Sequence, residues 1–486
     1  MSEPRDAPMQ PEAVLDRDLR RSDWRFLHPG LPLERVADPS PAALRQLAAR
    51  RDGRGLYFEW RRPVPGGGRA LRDELEGAGL EQVELYWPWP GFGRPWFWVP
   101  LGSEAAAAYV AASRLAARSA FRRVIDRPLR GLWRRAARAE RLWPLGAVAR
   151  TPGPAPATEP LRDRIAREWS SLGFEPPGGR LSWMLLTRGG RSINKIVGLV
   201  FAEPDPAPRI AVKLARIAEA EAGLLREASA LTAVHTRTSG GVRGAPRVLF
   251  CDDRSGPLAL VETALVGRPL FACLTAESYR PLALAATEWL ADLAGPPSDR
   301  GAAGAAAPVV ESALRDFRAS FGAVTDAAEL RATERLLAPL AALRTVPEHR
   351  DFSPWNVHVA PDGGIVAYDW ESAEPVGLPL TDLVYFLAHL GFFRDRTVGG
   401  DRCPESYRRA RDPTTFTGSV HKECVNRYAA RVGLDPAHVA GLHSLTWLIH
   451  SRSEYRRLVA DAGGPPRADT LGRSLFLALW REELRR

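Results

Sequence analysis

The sequence predicts an α+β protein, β-rich up to about residue 264 and helical in its larger remainder. Short apolar or alternating runs bounded by Gly and Pro recur between Leu56 and Ala264, as strands do. Apolar residues at helical spacing mark Arg69–Gly77, Glu221–His235 and an arginine-rich stretch over 109–145. Asp362-Gly363 between two apolar runs marks a tight hairpin.

The 486 residues suggest two to four domains at roughly 100–200 residues each. An apolar share of 45% with 26% charged residues excludes a wholly disordered chain. The longest apolar stretches, such as 105–113, fall short of the ~20 residues a membrane span needs. No apolar run follows Met1-Ser-Glu-Pro-Arg-Asp6, so no secretory signal is expected. Cys251, Cys273, Cys403 and Cys424 form no C-x-x-C pair and are expected as reduced core residues of a cytoplasmic protein. The net charge of +10 rests on arginine, because only Lys195, Lys213 and Lys422 are lysines among 67 basic residues. A lysine retained in such a chain suits a place where a compact ammonium is needed. Lys195 and Lys213 are therefore the ones to follow.

Residues 24–150 read as a small α/β unit. Leu56–Trp60, Val83–Trp87 and Trp96–Val99 are strand-like, and Arg69–Gly77 is a short helix. The segment AGLEQVELYWPWPGF resembles the C-terminal half of a class I methyltransferase-like domain over about 60 residues. No glycine-rich cofactor loop follows a strand here, so a structural or docking role is expected instead of methyl transfer. The stretch 109–145 holds a basic amphipathic pattern, with eleven Arg against Asp126 and Glu140 between 112 and 150. It suits a solvated face, or contact with an anionic membrane or polyanion; no specific nucleic-acid partner is expected. Four prolines in 151–160 read as a semi-rigid spacer.

The main chemical signal is His349-Arg-Asp-Phe-Ser-Pro-Trp-Asn356 followed by Asp369-Trp-Glu371. Phosphoryl transfer needs a carboxylate to take or orient a hydroxyl proton, and hard oxygen ligands to hold Mg²⁺ against phosphates. With Asp362-Gly363 as a two-residue turn, Ala360 faces Ile365, Val357 faces Tyr368 and Asn356 faces Asp369. The two oxygen ligands are then expected opposite one another on a hairpin.

Upstream, Arg209–Arg216 alternates, with Ile210, Val212 and Leu214 on one face and Ala211, Lys213 and Ala215 on the other. A small Ala211 leaves room for a base, and Lys213 can reach phosphates. An orienting acid is expected on the helix Glu221–His235, whose apolar stripe is Leu224, Leu225, Ala228 and Leu231; Glu227 shares the face of Leu224 and Leu231, and Glu221 is the second choice. Trp183–Leu186 and Ile196–Phe201 read as a hairpin whose turn carries Gly189, Gly190, Ser192 and Lys195, suited to covering phosphates. Leu258–Ala264 is a buried strand, and Glu262 to Ala264 are expected to offer main-chain groups to the base.

Residues from about 161 to 486 resemble the aminoglycoside phosphotransferase/choline kinase-like family. The motifs RGGRSINKIVGLVF, IAVKLAR, LLREASAL, HRDFSPWN, YDWE and GLPLTDL occur in the family's order. The resemblance implies a bilobal protein-kinase-like fold: a small β-rich N-lobe over 161–264 and a larger helical C-lobe over 265–486, preceded by the α/β domain of 1–150 and the 151–160 linker. It implies ATP and Mg²⁺ as cofactors and a small-molecule hydroxyl acceptor. Asp351 would be the catalytic base, Asn356 and Asp369 the metal ligands, and Lys213 the phosphate anchor oriented by Glu227. His349 would brace the loop and Asp382 would support it from below. Arg350 departs from the family, which commonly has a small residue there, and could narrow the acceptor side.

The segment 401–486 carries fifteen basic and ten acidic residues, which argues weakly against a polycationic acceptor. A sugar, an amino-alcohol or a glycosylated metabolite fits better. Phe386, Phe392, Phe393, Tyr407, Trp447 and Tyr455 could stack on a sugar but suit a core equally. The alternative to an enzyme is a catalytically silent kinase-like binding module. Nothing after Asp369 resembles the activation segment of a protein kinase acting on Ser or Thr.

Overall fold

A computed structural model describes residues 22–114, 144–187, 194–237, 241–254, 256–296 and 306–486. Gly189, Gly190, Ser192 and residues 115–143 of the expected basic stretch lie outside the described residues. The chain forms two compact units. One runs to Ala228 and includes Pro246–Val266; the other holds Ser229–Ala245 and Gly267–Arg486.

The first unit is built on a mixed sheet. Its described strands are β1 (Leu33–Ala37), β2 (Gly55–Trp60), β3 (Glu81–Trp89), β4 (Phe97–Pro100), β5 (Leu145–Arg150), β6 (Leu181–Leu186), β7 (Ile196–Ala202), β8 (Pro208–Leu214), β9 (Val248–Asp252) and β10 (Ala259–Thr263). Their order is β1-β2-β5-β3-β4-β6-β7-β8-β10-β9. β1 and β2 are parallel, and β7 and β8 typify the antiparallel remainder. The strands expected before and after residue 160 thus belong to one sheet, joined where Phe97 pairs with Leu186 and Trp98 with Leu185. The stretch 151–160, expected as a spacer, is anchored at its first residue. Thr151 is buried, donates its N–H to the Arg54 carbonyl at 2.9 Å, and accepts from the Arg54 N–H on its Oγ1 at 2.8 Å. Apolar side chains on both faces explain the continuous sheet. Ile210, Val212 and Leu214 pack with Tyr57, Tyr86 and Trp98 on one side. Ala211, Leu199 and Phe201 pack with Phe97 and Val99 on the other.

The second unit is mostly helical, with Tyr279–Ala294, Thr381–Asp395 and Val439–Ala462 among its longer helices. Two small sheets interrupt it: β11 (Arg268–Pro269), β13 (Val357–Val359) and β14 (Ile365–Ala367) form one, while β12 (Val346–Glu348) pairs with β15 (Glu374–Gly377) in the other. β14 is seated on Gly244, whose carbonyl accepts the Ala367 N–H at 2.8 Å. A Cβ at Gly244 would lie 2.1 Å from the Ile365 carbonyl oxygen, so no side chain fits there.

Two expectations about burial are corrected by the structure. Only Cys403 and Cys424 are buried; Cys251 is exposed and Cys273 partly so. Leu225, expected on the apolar stripe of its helix, is exposed, while Leu224, Ala228 and Leu231 are buried. Among the described residues no helix is long and apolar enough to cross a membrane.

Candidate functional site

The candidate residues fall into two sets, one in each unit. In the sheet unit, β8 carries Lys213 and the helix Glu221–Thr236 carries Glu227. Lys213 Nζ lies 2.5 Å from Glu227 Oε1 and 2.8 Å from Glu262 Oε1. Lys195 Nζ lies 2.8 Å from the other Glu227 oxygen. Glu227 is fully buried, Lys213 and Glu262 are buried, and Lys195 is partly buried. The preference for Glu227 over Glu221 matches this geometry; Glu221 instead accepts the Leu258 N–H at 3.5 Å.

The electrostatics follow from burial opposed by pairing. Burial alone would depress the Lys213 ammonium, but Glu227 and Glu262 outweigh it and hold its pKa above the usual value. Burial alone would raise Glu227, yet Lys213 and Lys195 bring its carboxyl down to about 2. Glu262 is more weakly compensated, and burial pushes it up to about 7.

The expected base-binding edge differs in detail. Glu262, expected to act through its main chain, reaches this cluster through its side chain. The Ala264 N–H is engaged by the Arg209 carbonyl at 2.9 Å, so that donor is taken up by the sheet. Ala211 is buried opposite Glu262 in the β8–β10 ladder.

In the helical unit the loop after β12 carries His349, Arg350 and Asp351. His349 is buried between Trp370 and Phe352, and its Nε2 lies 2.9 Å from the Tyr368 carbonyl. Asp382, at the start of the helix Thr381–Asp395, accepts the N–H of His349 at 2.6 Å and of Arg350 at 2.9 Å. That is the supporting contact expected of it. Arg350 adopts a left-handed φ of 66° and turns its guanidinium to Glu348. Glu348 also accepts from the Leu378 N–H at 2.7 Å and the Thr381 hydroxyl at 2.6 Å. Gly377 makes this possible, since a Cβ there would lie 2.2 Å from the Glu348 carboxyl carbon.

Asp351 accepts a hydrogen bond from Asn356 Nδ2 on its Oδ2 at 2.7 Å, and the Tyr385 hydroxyl lies 3.5 Å from its Oδ1. Burial and then the charge of Asp369 push the Asp351 carboxyl up to about 8, against the pull of Asn356.

The hairpin exists, but its register differs by one residue from the expected one. Val357 pairs with Ala367, His358 with Val366 and Val359 with Ile365. The turn holds three residues, 361–363, closed by Ala360 N–H to the Gly364 carbonyl at 2.8 Å, with Gly363 at a φ of 84°. Such a longer turn, ending in a left-handed glycine, shifts every pair. Asn356 therefore faces Tyr368, which donates its N–H to the Asn356 carbonyl at 2.9 Å, and Asp369 lies one residue beyond. Asp369 adopts φ 64° and ψ 66°, a left-handed conformation rare for a non-glycine residue and common where a side chain must be aimed.

Among the described residues no three His, Cys, Asp or Glu side chains cluster around a metal position. Asn356 and Asp369 together offer an amide and a carboxylate oxygen, and the negative charges of Asp369 and Glu371 are both felt at Asp351. Mg²⁺ commonly takes one or two protein oxygens and completes its shell with phosphates and water. The donor set fits that ion.

The sequence missed Tyr385 and Trp355. Tyr385 lies three residues after Asp382 on one helix, so that spacing could have flagged it. Trp355 is partly exposed beside His389 and Phe393, at centroid distances of 5.1 and 5.9 Å. Phe386, Phe392, Tyr407 and Trp447 are core residues.

Residues 200–412 match the family model described as "Phosphotransferase enzyme family", so the resemblance carried by the motifs is borne out over that segment. No curated protein matches the chain. Solved structures with a similar course include a chain from Ralstonia eutropha at 15% identity, covering 66% of this chain and 98% of that one with a TM-score of 0.44. Choline kinase LicA from Streptococcus pneumoniae aligns at 16% identity over 67% of this chain and 98% of its own, with a TM-score of 0.37. Aminoglycoside phosphotransferase APH(3'')-Id from Streptomyces rimosus, in complex with ADP and streptomycin, aligns at 18% identity over 59% and 96%, with a TM-score of 0.34.

Proposed function

We propose that the chain is an ATP- and Mg²⁺-dependent phosphotransferase that moves the γ-phosphoryl group of ATP to a hydroxyl of a small molecule. A sugar, an amino-alcohol or a glycosylated metabolite is the acceptor class. The observation that carries this reading is Asp351, a half-buried carboxylate held by Asn356 and placed two residues after a braced, buried histidine. Asp351 accepts the proton of the acceptor hydroxyl as its oxygen bonds to phosphorus. The bond from phosphorus to the ADP oxygen breaks, and ADP leaves. Asn356 keeps the Asp351 carboxylate in one rotamer, and Tyr385 limits it from the other side. Lys213, fixed between Glu227 and Glu262, supplies a positive charge for the phosphates, and Lys195 adds a second. Asn356 and Asp369 would hold Mg²⁺, whose charge supports the phosphates of the nucleotide.

Thermal unfolding with and without Mg·ATP tests the binding half of this reading, because a ligand of the folded state must raise the Tm. ADP release across a panel of hydroxyl compounds tests the chemical half. No Tm shift at millimolar Mg·ATP would leave the silent binding module as the better account.

A further inference from the structure

Asp23 lies near the start of the described chain, far in sequence from every motif above. It is nevertheless buried against Arg216, just past the end of the strand β8 that carries Lys213. Arg216, three residues after Lys213, places Nε 3.1 Å from Asp23 Oδ1 and Nη2 2.9 Å from Oδ2. Both side chains are 1% exposed. The same guanidinium reaches the backbone at both ends of the β6–β7 turn: Nη2 donates to the Thr187 carbonyl at 2.9 Å, and Nη1 lies 3.5 Å from the Asn194 carbonyl. Thr187 is itself held by the N-terminal part of the sheet, its N–H on the Trp96 carbonyl at 2.9 Å and its hydroxyl on the Pro95 carbonyl at 2.7 Å. Asn194 precedes Lys195, whose ammonium rests on Glu227.

We propose that Asp23 is a positioning residue for the lysine cluster. By fixing the Arg216 guanidinium, it holds the main chain at Asn194 and so keeps Lys195 on Glu227. A bidentate carboxylate leaves a buried guanidinium one orientation, with its remaining N–H groups aimed at carbonyls. Without the carboxylate the guanidinium has reason to turn toward water, and both carbonyl contacts go with it. The N-terminal extension thereby supplies an anion that sets the second cation of the candidate phosphate site. This inference rests on the proposed function only for the use made of Lys195, not for its placement.

The test exploits the chain's three lysines. Full-length protein is acylated with a limiting lysine-selective ester, and the rates at Lys195, Lys213 and Lys422 are read by peptide mass spectrometry. Asp23→Asn is expected to raise the Lys195 rate at least threefold with Lys422 unchanged. An unchanged Lys195 rate would overturn the inference, as would an equal rise at all three lysines, which marks general loosening. Should Asp23→Asn fail to fold, Arg216→Lys serves, and the same selective rise is expected. Mg·ATP is added to wild type as a separate arm. Absence of protection at Lys195 there, with a selective rise in the variant, would sink the nucleotide reading and leave the positioning role standing.

Discussion

Asn356 donates its side-chain N–H to Asp351 at 2.7 Å, across one turn of the loop that joins β12 to β13. The bond favours the ionised carboxylate and opposes the upward push of burial and Asp369. Asp351→Asn is expected to lower turnover by about 10²–10⁴-fold, the usual range for losing a general base, with ATP binding retained. Asn356→Ala is expected to move the rise of turnover with pH to higher pH, because the carboxyl loses a group that holds its pKa down. Steady-state pH profiles with an identified acceptor check both.

Glu227 and Glu262 both hold Lys213, but they respond to pH in opposite senses. The Glu227 carboxyl sits near 2 in the fold against 4.5 ordinarily. Its stabilisation is present above about pH 4.5 and is lost as pH falls toward 2. Glu227→Gln removes the charge that both ammonium groups share and is expected to cost about 3–5 kcal/mol at neutral pH. The Glu262 carboxyl is raised from 4.5 to about 7. The fold binds that proton more tightly than the unfolded chain does, so ionising Glu262 weakens the fold as pH climbs from 4.5 to 7. Glu262→Gln should gain on wild type across that window, by about 1–3 kcal/mol in total. Urea unfolding at pH 5, 6, 7 and 8 separates the two.

Asp369→Asn removes the anionic member of the proposed metal pair. The Mg²⁺ concentration for half-maximal turnover is expected to rise at least tenfold, about 1.4 kcal/mol in binding. In wild type, EDTA should abolish ADP release and added Mg²⁺ restore it. Turnover unaffected by EDTA would remove the metal assignment.

Gly377→Ala probes the support under the loop. The new methyl would collide with the Glu348 carboxyl, which is held by Arg350, Leu378 and Thr381. A loss of about 2 kcal/mol or more is expected, since overpacking here also breaks a buried polar network. Chemical denaturation measures it.

The legible part of the site was the part written in local spacing. Alternation in β8 assigned Lys213 to the opposite side from Ile210 and Val212, and helical spacing chose Glu227. The hairpin was legible as an element but not in register, because Asp362-Gly363 fits a two-residue turn and a longer turn ending in Gly363 equally well. One residue of difference moved Asp369 away from Asn356's direct partner. Glu262's side-chain role, Tyr385 beside Asp351 and the pairing of Asp23 with Arg216 depend on contacts between segments distant in sequence. No periodicity within either segment encodes such contacts.

The junction of β4 with β6 bears on how this molecule can be handled. Cutting at Pro160 would turn β6 into a bare border strand lined by Trp183, Met184 and Leu185, with main-chain groups that had faced Phe97 and Trp98 left open. Such a border recruits whatever strand is nearby, a second copy included. A shortened polypeptide beginning at Leu161 should therefore accumulate as aggregate, even though every phosphotransferase motif remains in it.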